Sequence, residues 1–188
     1  MFCPPGNAVQ RCITTAQGNV LIPCVHGFCG LRVLDMNFEQ VPPNDASGAA
    51  SHGVCTVTGS APSCPSISQG KVGNAIQLNG AQHVDIPSLG QFIPAQFTII
   101  LWAKPSSNLA TGKGVILSNK LNLLSSGFDL SINGPYGTLF GSAGALTVSM
   151  SDGIQTIEAS SPHAVQFDDW NHIAVVVDTQ TGIKLYLN

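Results

Sequence analysis

Phe167–Asn188 reads FDDWNHIAVVVDTQTGIKLYLN, and the pattern of this stretch decides the fold class. A run from Trp170 to Asp178 and a run from Ile183 to Asn188 flank the polar turn Thr179-Gln180-Thr181-Gly182. In the second run Ile183, Leu185 and Leu187 alternate with Lys184, Tyr186 and Asn188, the period of two of a half-buried strand. The two runs therefore read as a β-hairpin. It closes the sequence, so the second run is expected to carry no covalent successor on its free side. A bare strand edge readily pairs with another chain, which makes Ile183, Leu185 and Leu187 the candidate edge for a partner strand.

Upstream, short apolar runs repeat between turn signals. Phe97 to Lys104, FTIILWAK, is a strand closed by Pro105, which has no N–H for a ladder. Ala75 to Leu78 and His83 to Ile86 flank Asn79-Gly80-Ala81-Gln82, and Asn-Gly is a hairpin signal because both residues accept positive φ. Further runs fall at Val115 to Ser118, Phe128 to Ile132, Thr138 to Phe140, Leu146 to Ser151 and Gln155 to Ala159. Only Leu121 to Ser125 reads as a helical turn. Leu31 to Glu39, LRVLDMNFE, reads as the first core strand, and Asp45-Ala46-Ser47-Gly48 as a turn within the long loop from Gln40 to Gly70. Many short strands with regular turns predict an all-β fold, a two-sheet antiparallel sandwich of jelly-roll type.

Six cysteines, Cys3, Cys12, Cys24, Cys29, Cys55 and Cys64, all lie in the first third of the chain. Their even number and Pro- and Gly-rich surroundings favour disulfides over zinc, since no C-x2-C pair occurs. Neighbour pairing is expected: Cys3 with Cys12, Cys24 with Cys29, Cys55 with Cys64. Residues 1–30 read as a disulfide-rich N-terminal extension, in which Asn19 to Ile22 is a short strand, and residues 31–188 as the sandwich domain. Phe2-Cys3-Pro4-Pro5 follows Met1 with neither a basic nor an apolar leader region, so a mature or excised piece of a secreted or surface protein is expected.

Only 9% of the residues are charged and the mean hydropathy is +0.24. No stretch of roughly 18 uninterrupted apolar residues exists, so no membrane span is expected. A net charge of −3 and seven Lys plus Arg argue against a nucleic-acid partner.

The runs GKVGNAIQLNGAQHVDIP (70 to 87), FTIILWAKP (97 to 105) and WNHIAVVVDTQTGIKLYLN (170 to 188) together resemble the laminin-G-like, concanavalin A-like lectin/glucanase jelly roll. With the strand and turn of residues 31–48 the resemblance covers about 31 to 188. It implies a recognition domain, yet the strands that follow L-Y-x-N in the family are missing from the sequence, so the domain reads as C-terminally incomplete. Family metal sites draw on those late strands. No cofactor is therefore expected, the one exception the resemblance leaves open being a structural calcium ion to which Glu39 or Asp45 supplies one ligand.

Glycoside hydrolysis needs two carboxylates about 5–10 Å apart. Glu39 and Glu158 are the only glutamates and lie in distant segments, and no G-x-S-x-G or H-E-x-x-H motif occurs. The chain is expected not to be an enzyme. Trp102, Trp170 and His172 read as packing residues. Tyr136, on the turn Asn133-Gly134-Pro135-Tyr136-Gly137, is the candidate platform for a ligand, with Asn133 beside it. Two functions follow: an extracellular or cell-surface recognition module for glycans or proteins, or a structural subunit of an extracellular filament or surface assembly whose open edge another chain completes, by self-assembly or otherwise.

Overall fold

The computed structural model describes residues 34–55, 64–80, 82–87, 96–108, 112–120, 125–136, 141–178 and 180–188, and the backbone of 10–15, 18–25 and 28–29. The Cys3–Cys12 pairing, the run Thr138 to Phe140 and most of the turn Leu121 to Ser125 lie outside the described residues. So do the side chains of Cys12, Cys24 and Cys29. Every regular element among the described residues is a β-strand, and the chain divides into two compact units, Met1–Ile86 and Pro87–Asn188.

In the first unit β1 (Gln10–Thr15), β2 (Gly18–Val25) and β3 (Phe28–Cys29) form an antiparallel sheet in which Cys24 lies opposite Cys29. Leu31 to Glu39, read as a core strand, holds only an isolated bridge, Met36 to Asp45, in its described part. Phe38 takes a φ of 54°, which breaks an extended run. β4 (Ser66–Gln69) pairs with β5 (Asn74–Gln77) through a turn in which the Gly70 N–H donates to the Gly73 carbonyl at 2.9 Å. The hairpin expected around Asn79-Gly80 is therefore replaced. Gly80 does adopt positive φ, but β5 pairs backwards with β4, and Asp85 bridges Val54. Cys55 and Cys64 are joined by a disulfide.

The second unit is a sandwich of two antiparallel sheets. One holds β6 (Gln96–Ala103), β11 (Asn171–Asp178) and β12 (Gly182–Leu187) in the order β12-β11-β6. The other holds β7 (Lys113–Ser118), β8 (Gly127–Asn133), β9 (Ala145–Ser151) and β10 (Thr156–Ala164) in the order β10-β9-β8-β7. Alternate residues of facing strands make the core: Leu130, Leu146 and Val148 from one sheet meet Ile173, Val175 and Val177 from the other, all buried. Phe97 of β6 tilts against Phe128 of β8 with ring centroids 5.2 Å apart, tying the layers together. The closing hairpin folds as its alternation predicts, with Val175 opposite Leu185 and Val177 opposite Ile183.

Candidate binding surfaces

One end of the sandwich gathers the loops after β6, after β8 and after β10. Gly134 N–H donates to the Gly112 carbonyl at 2.7 Å, Val165 N–H to Gly144 at 2.9 Å, and Asp168 N–H to Pro105 at 2.7 Å. The end is organised by Asn171, whose side chain is wholly buried. Its amide nitrogen donates to the carbonyls of Gln166 and Asp169 at 2.8 and 2.9 Å, and its amide oxygen accepts the Gln166 N–H at 2.8 Å. Asp168 takes a φ of 59° and accepts the Ser107 N–H at 3.1 Å. The Ser107 hydroxyl and N–H hold its carboxyl below the ordinary value, against the opposite effect of burial and with help from Lys104.

Tyr136 stands on this end and is 86% exposed. Asn133, its expected companion, is buried, and its amide donates to the Ser142 carbonyl at 3.2 Å, closing the loop from within.

The outer face of the β12-β11-β6 sheet carries the larger surprise. Register places Trp102 beside His172, and Ile100 beside Ala174 and then Tyr186. These side chains point away from the core: Ile100 is 66%, Tyr186 54% and Trp102 44% exposed. The packing role expected for Trp102 is thus corrected, because its inward neighbours Leu101 and Ala103 fill the core and Trp102 leans instead on the His172 ring at 5.0 Å. Ala174, the small residue on the middle strand, leaves a shallow floor between strands about 10 Å apart.

Ile183, Leu185 and Leu187 lie on β12, at the end of the strand order β12-β11-β6. Among the described residues β11 is the strand hydrogen-bonded to β12, and β10 of the other sheet lies beside it. The Asn188 N–H donates to the His172 carbonyl at 3.0 Å, which sets the phase of the ladder. Hydrogen-bonded and non-bonded pairs alternate in an antiparallel ladder, so Lys184 and Tyr186 direct their backbone groups at β11. Ile183, Leu185 and Leu187 direct theirs outward.

Two polar centres lie elsewhere. The Asp45 carboxylate accepts N–H groups from Asp35, Ser47 and Ser51 and the Ser47 hydroxyl, at 2.7–3.0 Å. Burial pushes its pKa up, and these donors outweigh it and hold the group far below its ordinary value. Glu39 accepts the Asn74 N–H at 3.2 Å. Carboxylates engaged by N–H and O–H donors are turn anchors, and no group of three or more His, Cys, Asp or Glu among the described residues is placed to hold a metal ion. On the other sheet Lys120 is almost buried, with Nζ 3.4 Å from Asp129 and 2.9 Å from Ser149 Oγ. Sequence reading missed Lys120 and Asn171, since neither belongs to a recurring motif of side chains. For Asn171, a buried polar position before an apolar strand was the only signal.

Antiparallel sheets packed face to face, with aromatic groups turned outward and loops collected at one end, define a binding domain of the lectin-like sandwich class. The chain belongs to the concanavalin A-like lectin/glucanases superfamily, whose laminin-G family model matches residues 78–188. Laminin-G-like domains are in general non-enzymatic binding modules for proteins or glycans. No curated protein and no solved structure matches the chain. Among the described residues no helix is long and apolar enough to cross a membrane.

Proposed function

We propose that this chain is a non-enzymatic extracellular recognition module that binds glycans through the outer face of the β12-β11-β6 sheet. The observation that carries the reading is the exposed row of Trp102, Ile100 and Tyr186 around the small Ala174. Aromatic rings offer flat apolar area to the C–H faces of a sugar, and nearby polar groups, here His172, Lys184 and Asn188, fix orientation. The disulfide at Cys55–Cys64 supports an oxidising, extracellular setting. Tyr136 on the loop end is a second candidate contact.

A glycan array with the wild-type chain and Trp102→Ala, Tyr186→Ala and Tyr136→Ala tests the reading. Loss of signal in Trp102→Ala with unchanged melting supports it. A silent wild type, or a Trp102→Ala chain that binds equally, overturns it.

A second reading, a subunit of an extracellular assembly completed through a strand edge, is favoured by a separate observation. Ile157 of β10 lies opposite Met150 of the core and so faces inward, yet it is 55% exposed. β10 lies beside β12. An exposed apolar side chain therefore accompanies the outward backbone groups of β12 on this side of the sandwich.

A further inference from the structure

We propose that Asn79 is a site of spontaneous covalent modification: its side-chain amide is lost through a cyclic imide formed with the Gly80 nitrogen, and the exposed turn after β5 comes to carry aspartate and isoaspartate. The modification falls in the first unit and is independent of glycan recognition.

The reaction needs an asparagine followed by a residue whose backbone nitrogen can turn onto the side-chain carbonyl carbon. Glycine serves best, because it has no side chain to block the approach and enters conformations closed to other residues. The Gly80 nitrogen attacks Asn79 Cγ and a C–N bond forms. The side-chain nitrogen leaves as ammonia, carrying off the Gly80 amide proton. Water then opens the ring at either of its carbonyls, giving aspartate, or isoaspartate with the backbone routed through the former side chain. The net change consumes water and releases ammonia, and no oxidant or other reactant is needed.

The sequence contains the steps Asn79-Gly80, Asn133-Gly134 and Asp152-Gly153, all able in principle to form such a ring, and the fold separates them. Asn133 and Gly134 are buried. The Gly134 N–H donates to the Gly112 carbonyl at 2.7 Å, the Asn133 amide to the Ser142 carbonyl at 3.2 Å, and the carbonyls of both residues accept the Gly144 N–H at 3.1 and 3.3 Å. Nucleophile, electrophile and the peptide unit between them are all pinned. At Asp152-Gly153 the Gly153 N–H donates to Ser151 Oγ at 3.1 Å, and Asp152 Oδ1 accepts the N–H groups of Ile154 and Gln155 at 2.8 and 2.7 Å. Asn79 and Gly80, in contrast, are both exposed and lie outside any strand. Gly80 has a φ of 89°, with open space where a side chain would stand. The turn carries the chain from β5 toward the Val54–Asp85 bridge. Isoaspartate lengthens the backbone there by a methylene, and either product adds negative charge to a chain already at −3.

Peptide mapping of the whole chain by mass spectrometry, with fragmentation that tells isoaspartate from aspartate, tests this. Samples are held in mildly alkaline buffer, folded or in urea, and taken at intervals. In urea Asn79 and Asn133 are expected to convert at similar rates. In the folded chain Asn79 should stay within a few-fold of its unfolded rate, with isoaspartate among the products, while Asn133 slows many-fold. Asn79 intact in the folded chain overturns the proposal, as does folded Asn133 converting as fast as Asn79. Conversion of Asn79 to aspartate alone overturns the cyclic route.

Discussion

Replacing Asn171 by leucine removes the polar centre of the loop end and keeps nearly the same volume. Three short hydrogen bonds disappear, leaving the carbonyls of Gln166 and Asp169 and the N–H of Gln166 without their partner. A buried backbone group left unsatisfied costs about 1–3 kcal/mol. The loop lies at the surface, so water reaches part of what is exposed, and the sum is expected near 3 kcal/mol rather than the upper bound. For a domain of this size about 1 kcal/mol moves the melting temperature by roughly 4–8 °C, so a fall of roughly 12–24 °C is expected by circular dichroism. Asn171→Asp keeps the acceptor but turns a carboxylate toward two carbonyls. It should be at least as damaging at neutral pH and recover partly on acidification. An Asn171→Leu chain within about 0.5 kcal/mol of wild type, the range of an inert surface change, would refute the role assigned to this side chain.

Four aspartates give the stability its pH dependence. Donors from Gln155 and Ile154 lower Asp152, Ser107 lowers Asp168, and Gln180 lowers Asp178, while Asp45 is lowered by Ser47, Asp35 and Ser51 against the effect of burial. Because these folded-state values lie below the ordinary one of 3.8, the stabilisation is complete above that pH and disappears as pH falls through the folded values; urea midpoints should be flat from about pH 7 to 5 and drop below about pH 4, and a rise on acidification would contradict this. Gly73→Ala sets a Cβ against Glu39 Oε1 at a φ of +61°, so it should cost roughly 1–3 kcal/mol, and a double-mutant cycle with Glu39→Ala should recover the clash but not the backbone strain. Cys55→Ser opens a loop with a sequence separation of 9, and chemical denaturation should report a loss of about 2.5–3 kcal/mol on the chain-entropy account.

Much of the second unit was legible because one face of each strand is apolar. β6, β8, β9, β11 and β12 fall within a residue or two of the runs read from alternation. Two things were not legible. The Asn79-Gly80 signal marks a chain reversal, and Gly80 does take positive φ, but a turn signal does not say which strands it joins. The true partner, Ser66–Gln69, has a single apolar residue, Ile67, and so gave no periodicity. Trp102 was misplaced for the opposite reason. The run TIILWA is apolar on both faces, so alternation cannot say which side is inward; pairing with Val175 and Ile173 decided it. β10 continues past the expected Ala159 to Ala164 through Pro162, which an edge strand tolerates at the irregularity between Ser160 and Ala164.

The outer face of the β12-β11-β6 sheet makes a prediction of its own. Trp102 and Tyr186 stand on strands either side of β11, with the small Ala174 between Ile100 and Tyr186. Neither ring lies in the core, so Trp102→Ala and Tyr186→Ala should each leave the melting temperature nearly unchanged, within the range of an exposed substitution. Each should weaken glycan binding, because each removes one of the two flat apolar surfaces. Trp102 also leans on the His172 ring at 5.0 Å, so its loss frees that imidazole as well and should cost more affinity than the loss of Tyr186. Equal binding by wild type and both variants in a titration with one glycan would contradict the placing of the site on this face.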